Sequence, residues 1–181
     1  MAKRRKRLLD FEIDKLTNSI ENVISGESFA TDILPVTKDF TRSITKKNGW
    51  LFDWKKEIAV PSKQVYKLVT VGNPDIIQGL MAIQIESGYV AVVLIESAPF
   101  NRGKAKMYFG VMGNLVAFAC KTSFESNGTG YVSFFAKTRL VQHYIKALGA
   151  SHEGGQLMVI YPKQSSLLVR KYFGNLGEDE S

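Results

Sequence analysis

The chain contains very little of what metal centres, disulfide frameworks and membrane spans require. Its single cysteine, Cys120, cannot form an internal disulfide, which fits a reducing compartment. Two histidines, His143 and His152, do not make a metal-ligand pattern with one cysteine, and no G-x-S-x-G elbow is present. The longest apolar stretch, Tyr89–Ile95, is far short of the ~20 residues a membrane span needs. We therefore expect a cytoplasmic protein with neither a metal nor a membrane partner.

Positive charge is concentrated at one end of the 181-residue chain. The net charge is +7, and Lys3–Arg7 is an uninterrupted basic run. We predict a disordered basic arm at 1–8, a single domain at 9–176 and a frayed acidic tail at 177–181. A basic arm can dock on nucleic acid through phosphate contacts, although a solubilising terminus is the simpler interpretation.

The sequence predicts several short, separate helices and strands in the first third of the chain. Apolar residues between Leu9 and Ile24 recur at helical spacing and predict an amphipathic helix that Gly26 ends. A short strand is predicted at Phe29–Val36, and a helix is predicted from Thr37 to about Lys46. Alternating aromatic residues at Trp50–Trp54 predict one half-buried strand face.

The middle of the chain predicts a sheet. Three apolar strands separated by short turns are typical of an antiparallel meander, and they are followed by connections that carry helices. We therefore predict an α/β (α+β) fold with a mixed, twisted sheet and helices on both faces. The predicted strands are Val65–Val71, Ile76–Glu86, Tyr89–Glu96, Gly130–Ala136 and Gln156–Tyr161; the predicted helices are a dozen residues from near Asn114 and Thr138–Leu148, with a helix or strand at Ser165–Phe173.

A glycine turn separates the third meander strand from the helix that follows it. Gly110, Val111, Met112 and Gly113 lie directly before Asn114. Unpaired backbone N–H groups at a helix start and the helix dipole favour a bound anion. This order of strand, glycine turn and helix predicts a phosphate site.

The order of elements resembles the GNAT superfamily of acyl-CoA N-acyltransferases over roughly Phe29 to Tyr161. The family's hallmark is Q/R-x-x-G-x-G/A, in which Gly110 fits the central glycine. Met107 stands where Gln or Arg is expected and Met112 where Gly or Ala is expected, with Gly113 one step later. The resemblance implies a mostly antiparallel sheet splayed at its central strands, and acetyl-CoA whose pyrophosphate is held by amides of Gly110, Val111, Met112, Gly113 and Asn114.

A second stretch, His143–Ala150, resembles the family's F-Y-x-x-L-G-F sequence. The resemblance directs Tyr144 toward the coenzyme sulfur, where a phenol can protonate the departing thiolate as general acid. The alternative is a core tyrosine whose hydroxyl is bound by backbone. His143 is expected on the surface.

Glu96 ends the third meander strand and is our candidate general base for the attacking amine. The alternative is that Glu96 pairs with Arg102 or Lys104 across the loop. Ordered water, rather than a carboxylate, is a further option for the base.

Further cofactor-binding residues follow from the resemblance. Backbone groups of Ile95 and Ser97 match the strand that receives the pantetheine arm, and Arg102 and Lys104 are candidates to approach the coenzyme phosphates. Asn114 caps the helix or contacts phosphate.

The function expected from this resemblance is transfer of an acetyl group from acetyl-CoA to a primary amine of an unknown acceptor. The alternative is a non-catalytic binding module with the same fold, associated with nucleic acid through the basic arm. Sequence alone leaves the oligomeric state open.

Overall fold

A twisted sheet organises the chain in the computed structural model, which describes residues 6–174. The predicted basic arm at 1–8 lies mostly outside these residues, and the predicted tail at 177–181 lies wholly outside them. In chain order the elements are β1 (Ile20–Asn22), β2 (Ser28–Phe29), β3 (Thr31–Pro35), α1 (Trp54–Ile58), β4 (Gln64–Thr70), β5 (Gly79–Glu86), β6 (Tyr89–Ser97), β7 (Tyr108–Phe109), α2 (Val111–Asn127), β8 (Val132–Phe135), α3 (Val141–Leu148), β9 (Ser151–His152), β10 (Leu157–Ile160) and α4 (Pro162–Phe173).

The main sheet has seven strands in the order β3-β4-β5-β6-β8-β10-β9. Adjacent strands in this sheet run antiparallel, except β6 and β8, which run parallel. This topology confirms the predicted mixed, mostly antiparallel sheet. A smaller sheet joins β2, β1 and β7.

The meander forms where the sequence predicted it. The strands β4, β5 and β6 are apolar runs separated by turn residues, and β5 meets β6 through a tight hairpin in which Glu86 pairs with Tyr89. Gly88 takes a φ of +87° in that hairpin, a conformation that glycine adopts without strain.

Two apolar cores cover the two faces of the sheet. On one face α2, α3 and α4 pack over the sheet. On the other face Trp50 and Trp54 pack against Val65, Leu80 and Leu94. Helices therefore lie on both faces, as predicted.

The predicted helix at Leu9–Ile24 is wrong. Residues 9–19, here called the N-terminal segment, contain no helix, and β1 begins directly after them. Leu9, Phe11 and Ile13 are buried while the acidic residues between them are not. A period of two is the pattern of an extended chain with one buried face, and it prevails here over the apparent helical spacing.

Two further local predictions are wrong. The predicted helix from Thr37 is reduced to 3₁₀ turns at Lys38–Phe40 and Lys46–Asn48, and the predicted strand at Trp50–Trp54 is a loop that enters α1. Asp53 caps α1 by accepting the Lys56 N–H at 3.1 Å. Burial of both tryptophans in one core outweighs the β-propensity of the alternating aromatic residues.

The helix predicted to start near Asn114 begins three residues earlier. Gly110 is the N-cap of α2, with a φ of +95°. Val111, Met112 and Gly113, which were predicted to lie in the turn, therefore form the start of the helix.

Candidate active site

The parallel strands β6 and β8 pair at only two positions, Val90 with Val132 and Ala91 with Ser133. Beyond these positions β6 continues to Ser97 without β8 beside it. On its other side β6 stays paired with β5, where Ile95 faces Met81 and Ser97 faces Gly79. The backbone edge of β6 that includes Ile95 and Ser97 therefore opens toward a crevice.

The N-terminal segment enters this crevice from the β8 side. The N–H of Leu9 donates to the carbonyl of Phe135 at 2.7 Å, and the N–H of Lys137 donates to the carbonyl of Leu9 at 2.9 Å. The segment thus extends the β8 side of the sheet. A cavity of about 310 Å³ remains between it and β6, lined among others by Phe11, Glu12, Ile95, Glu96 and Ser97.

The glycine turn before α2 holds an anion supplied by the chain itself. The Gly110 N–H donates to Asp14 Oδ1 at 2.9 Å, and Lys106 Nζ lies 3.0 Å from Asp14 Oδ2. A Cβ on Gly110 would lie 2.8 Å from the carbonyl oxygen of Ser19 and from Cγ2 of Thr17. The predicted phosphate turn is therefore closely covered by the N-terminal segment.

The other residues of the predicted phosphate loop are also buried. Val111, Met112, Gly113 and Asn114 all lie in the first turn of α2, beneath the segment. A Cβ on Gly113 would collide with the hydroxyl of Tyr172. Only a glycine allows this close approach.

Asn114 holds the segment rather than capping the helix. Its side-chain amide donates to the carbonyls of Thr17 at 3.2 Å, Ser19 at 3.3 Å and Gly110 at 2.7 Å. Gly110 therefore takes the cap position predicted for Asn114, whereas a contact of Asn114 with phosphate stays a prediction.

Tyr144 is fully buried and its hydroxyl donates to the carbonyl of Phe11 at 2.6 Å. The ring centroid of Tyr144 lies 4.9 Å from that of Phe11 and 5.1 Å from that of Phe134. Burial raises the pKa of the Tyr144 hydroxyl well above its ordinary value. The hydroxyl is thus bound by backbone, which is the alternative that the sequence left open.

His143 is not on the surface as predicted. It is half-buried, and its Nε2 accepts the N–H of Ile13 at 2.9 Å. Neighbouring residues of α3 therefore bind the N-terminal segment at two points, Phe11 and Ile13.

Glu96 is a buried hydrogen-bond acceptor. Its carboxylate accepts the N–H groups of Leu51 at 2.7 Å and Phe52 at 3.3 Å and the indole N–H of Trp54 at 2.8 Å. Arg102 Nη1 lies 3.6 Å away. The geometry therefore contains the predicted pairing of Glu96 with Arg102, and a role of Glu96 as general base stays a prediction.

The two predicted basic residues of the loop differ in environment. Arg102 is partly covered and also donates to the carbonyl of Gly49. Lys104 is exposed in a 3₁₀ turn at Gly103–Ala105. Arg102 is thus engaged within the protein, whereas Lys104 points to solvent.

Sequence reasoning missed Phe11, Ile13 and Asp14, the residues that occupy the crevice. Their signal was present, because residues 9–14 read L-D-F-E-I-D with strict alternation. Within residues 6–174, no group of three or more His, Cys, Asp or Glu side chains is placed to hold a metal ion. No helix in that same range is long and apolar enough to cross a membrane.

No protein-family model and no curated protein matches the chain. Solved structures do match it. Mutant forms of the spermidine/spermine N-acetyltransferase SpeG from Vibrio cholerae align over 75% of this chain and 97% of theirs, with a TM-score of 0.55 and 15% identity. The chain has the GNAT fold.

Two further structures extend this comparison. A dodecameric spermidine N-acetyltransferase from Vibrio cholerae covers 74% of this chain and 95% of its own, with a TM-score of 0.54 and 16% identity. The KacTA–DNA complex covers 76% and 97%, with a TM-score of 0.55 and 17% identity. The alignments therefore cover about three quarters of this chain and nearly all of each of the three structures.

Proposed function

We propose that the protein is an N-acyltransferase that transfers an acyl group from acetyl-CoA or a related thioester to a primary amine. We further propose that the described conformation is a closed form, in which the N-terminal segment occupies the coenzyme crevice. The observation that carries the proposal is the carboxylate of Asp14 on the N–H of Gly110.

A carboxylate in this position is a local substitute for a phosphate group. Both are anions that accept hydrogen bonds from backbone N–H groups at the start of a helix, where the dipole favours negative charge. Lys106 beside Asp14 adds a cation, as a phosphate would require. The turn before α2 therefore selects an anion even though its sequence departs from the GNAT motif.

The rest of the segment follows the course that the GNAT resemblance assigns to the coenzyme. In that resemblance, the pantetheine arm lies along the edge of β6 and the tyrosine of α3 points to the sulfur. Here the carbonyl of Phe11 takes the Tyr144 hydroxyl at 2.6 Å, and Asp14 takes the glycine turn. Coenzyme and segment would thus compete for the same donors.

The proposed reaction needs the segment to leave. The amine nitrogen would then attack the thioester carbonyl carbon, the carbon–sulfur bond would break, and the thiolate would take a proton. We assign the donation of that proton to Tyr144, once its hydroxyl is released from Phe11. Because the carboxylate of Glu96 is already engaged by Leu51, Phe52 and Trp54, we assign deprotonation of the amine to water.

Calorimetric titration with acetyl-CoA tests the proposal on the wild type and on Asp14→Ala. The change removes a charge-assisted hydrogen bond worth about 1.5–3 kcal/mol, which favours release of the segment. Because each 1.4 kcal/mol is a factor of ten, we expect the apparent Kd to fall about tenfold or more.

Asp10→Ala is the matched control. Asp10 lies on the same segment, but its ion pair with Lys137 is nearly half exposed at both ends and contributes little. Its affinity for acetyl-CoA should equal that of the wild type. Equal affinity in Asp14→Ala and Asp10→Ala would contradict competition at Gly110.

A second candidate is a non-catalytic binding module with the GNAT fold. It is favoured by the way Tyr144 and Glu96 are both engaged in internal hydrogen bonds. In that case neither the wild type nor Asp14→Ala would bind acetyl-CoA or acetylate any amine, although both would remain folded.

A further inference from the structure

The sheet face opposite α2 and α4 carries an open groove over β6, β8 and β10. Two adjoining cavities of about 480 and 340 Å³ share Ala91, Ser133 and Phe135 in their walls and form one continuous depression. We call this depression the sheet-face groove. Its first half is aromatic, and its second half is basic.

The aromatic half is a row of tyrosines on three neighbouring strands. Val132 pairs with both Val90 and Ile160, so Tyr131 lies beside Tyr89 on one side and Tyr161 on the other. The three side chains are 40%, 38% and 38% exposed for Tyr89, Tyr131 and Tyr161. Since strands lie about 4.8 Å apart, the rings form a compact row across the sheet.

The basic half begins at Phe135, where Lys6 Nζ lies 4.5 Å from the ring centroid. Arg7 and Lys63 complete this wall, and both contact a single carboxylate, Glu57, at 2.8 and 2.6 Å. One carboxylate facing two cations leaves positive charge at this end.

We propose that the sheet-face groove binds single-stranded nucleic acid, with bases stacked on the tyrosines and phosphates near Lys6 and Lys63. Exposed aromatic rings on a sheet accept the faces of unstacked bases, which a duplex does not offer. Charge complementarity favours a polyanion over a second copy of this basic chain. Two carboxylates lie at the aromatic rim: Glu153, which accepts the Tyr161 hydroxyl at 2.6 Å, and Glu86, which pairs with Tyr89 across the hairpin.

The expected footprint is short. Phe135 lies four positions after Tyr131, which is about 13 Å along an extended strand. That length suits two or three nucleotides. Gly110 and Tyr144 do not line the groove. The test below therefore measures nucleic-acid binding and not acyl transfer.

Fluorescence anisotropy with labelled 12-nucleotide single-stranded RNA, single-stranded DNA and the matched DNA duplex tests the proposal. At about 50 mM salt we expect a single-stranded probe to bind more tightly than the duplex, with affinity that falls as salt rises. Comparison of the RNA and DNA arms identifies the natural class of ligand.

Two kinds of variant locate the site. Tyr131→Ala with Tyr161→Ala should weaken single-strand binding at least about tenfold, because stacking contributes strongly for each base. Lys6→Gln with Lys63→Gln should weaken binding and lower its salt dependence. Phe173→Ala, an exposed aromatic on α4, and Lys171→Gln are matched controls that should bind like the wild type.

Several outcomes would overturn the proposal. They are the absence of single-strand binding at low salt, equal or tighter binding of the duplex, or unchanged affinity in folded tyrosine and lysine variants. A stable dimer that the tyrosine changes convert to monomer would show instead that a second copy covers the groove.

Discussion

Replacing Glu96 should destabilise the protein severely, because its carboxylate is the common acceptor for Leu51, Phe52 and Trp54. Glu96→Ala leaves three donors around a buried position without an acceptor. A buried unsatisfied group costs about 1–3 kcal/mol, so the summed loss is at least about 3 kcal/mol. Set against a total stability of about 5–15 kcal/mol, that loss is large.

Glu96→Gln keeps the size of the side chain and one acceptor oxygen, so we expect a smaller loss of about 2 kcal/mol. Urea unfolding followed by tryptophan fluorescence is the assay, because Trp50 and Trp54 are the chain's two tryptophans, both are buried, and Trp54 donates its indole N–H to Glu96. The control is Glu125→Gln, since Glu125 is 61% exposed and its partner Lys121 lies 3.8 Å away. This control should change the free energy of unfolding by less than about 0.5 kcal/mol.

The result that would refute this reasoning is a Glu96→Gln variant with the unfolding midpoint of the wild type. If such a variant also lost transferase turnover, Glu96 would be a base and not a structural acceptor. A reduced midpoint together with a normal pH–rate profile would instead support the structural role.

Two further predictions concern buried polar contacts. Burial acts to raise the pKa of Glu57, but hydrogen bonds from Lys63 and Arg7 outweigh it and hold the pKa below its ordinary value of 4.5. The contribution of ionised Glu57 to stability is therefore complete above about pH 4.5 and is lost as the pH falls through the pKa of Glu57 in the folded state. The free energy of unfolding should therefore fall more steeply with acid in the wild type than in Glu57→Gln. Parallel curves would contradict this. Tyr144→Phe leaves the carbonyl of Phe11 without its donor and should lower the free energy of unfolding by about 1–3 kcal/mol; an unchanged value with lost turnover would make Tyr144 an acid alone.

The fold was predictable where the determining signals are local. The strands β4, β5 and β6 are apolar runs between clear turns, and Gly110 marks the turn before α2. Order of elements alone was enough to indicate the topology. These signals depend on neighbours a few residues away, which a single sequence displays.

The filling of the crevice was not predictable in the same way. Gly110 meets Asp14 across 96 positions of sequence, and no local pattern pairs them. Trp54 likewise reads as part of an alternating strand until Glu96, 42 positions away, accepts its indole N–H. Partners that are distant in sequence therefore determine the environment of these groups. The alternation L-D-F-E-I-D, in contrast, is a local pattern that predicts an extended segment with one buried face.

The hydrogen bond from Ile13 to His143 spans 130 residues, which has a consequence for how the chain is made. During synthesis the residues around Ile13 leave the ribosome long before α3 exists, and closure of so long a loop is entropically costly. The earliest of these elements to emerge is thus among the last to reach its native neighbours. Every nascent molecule therefore passes through a stage in which α3, the helix that binds the N-terminal segment, has not yet been synthesised.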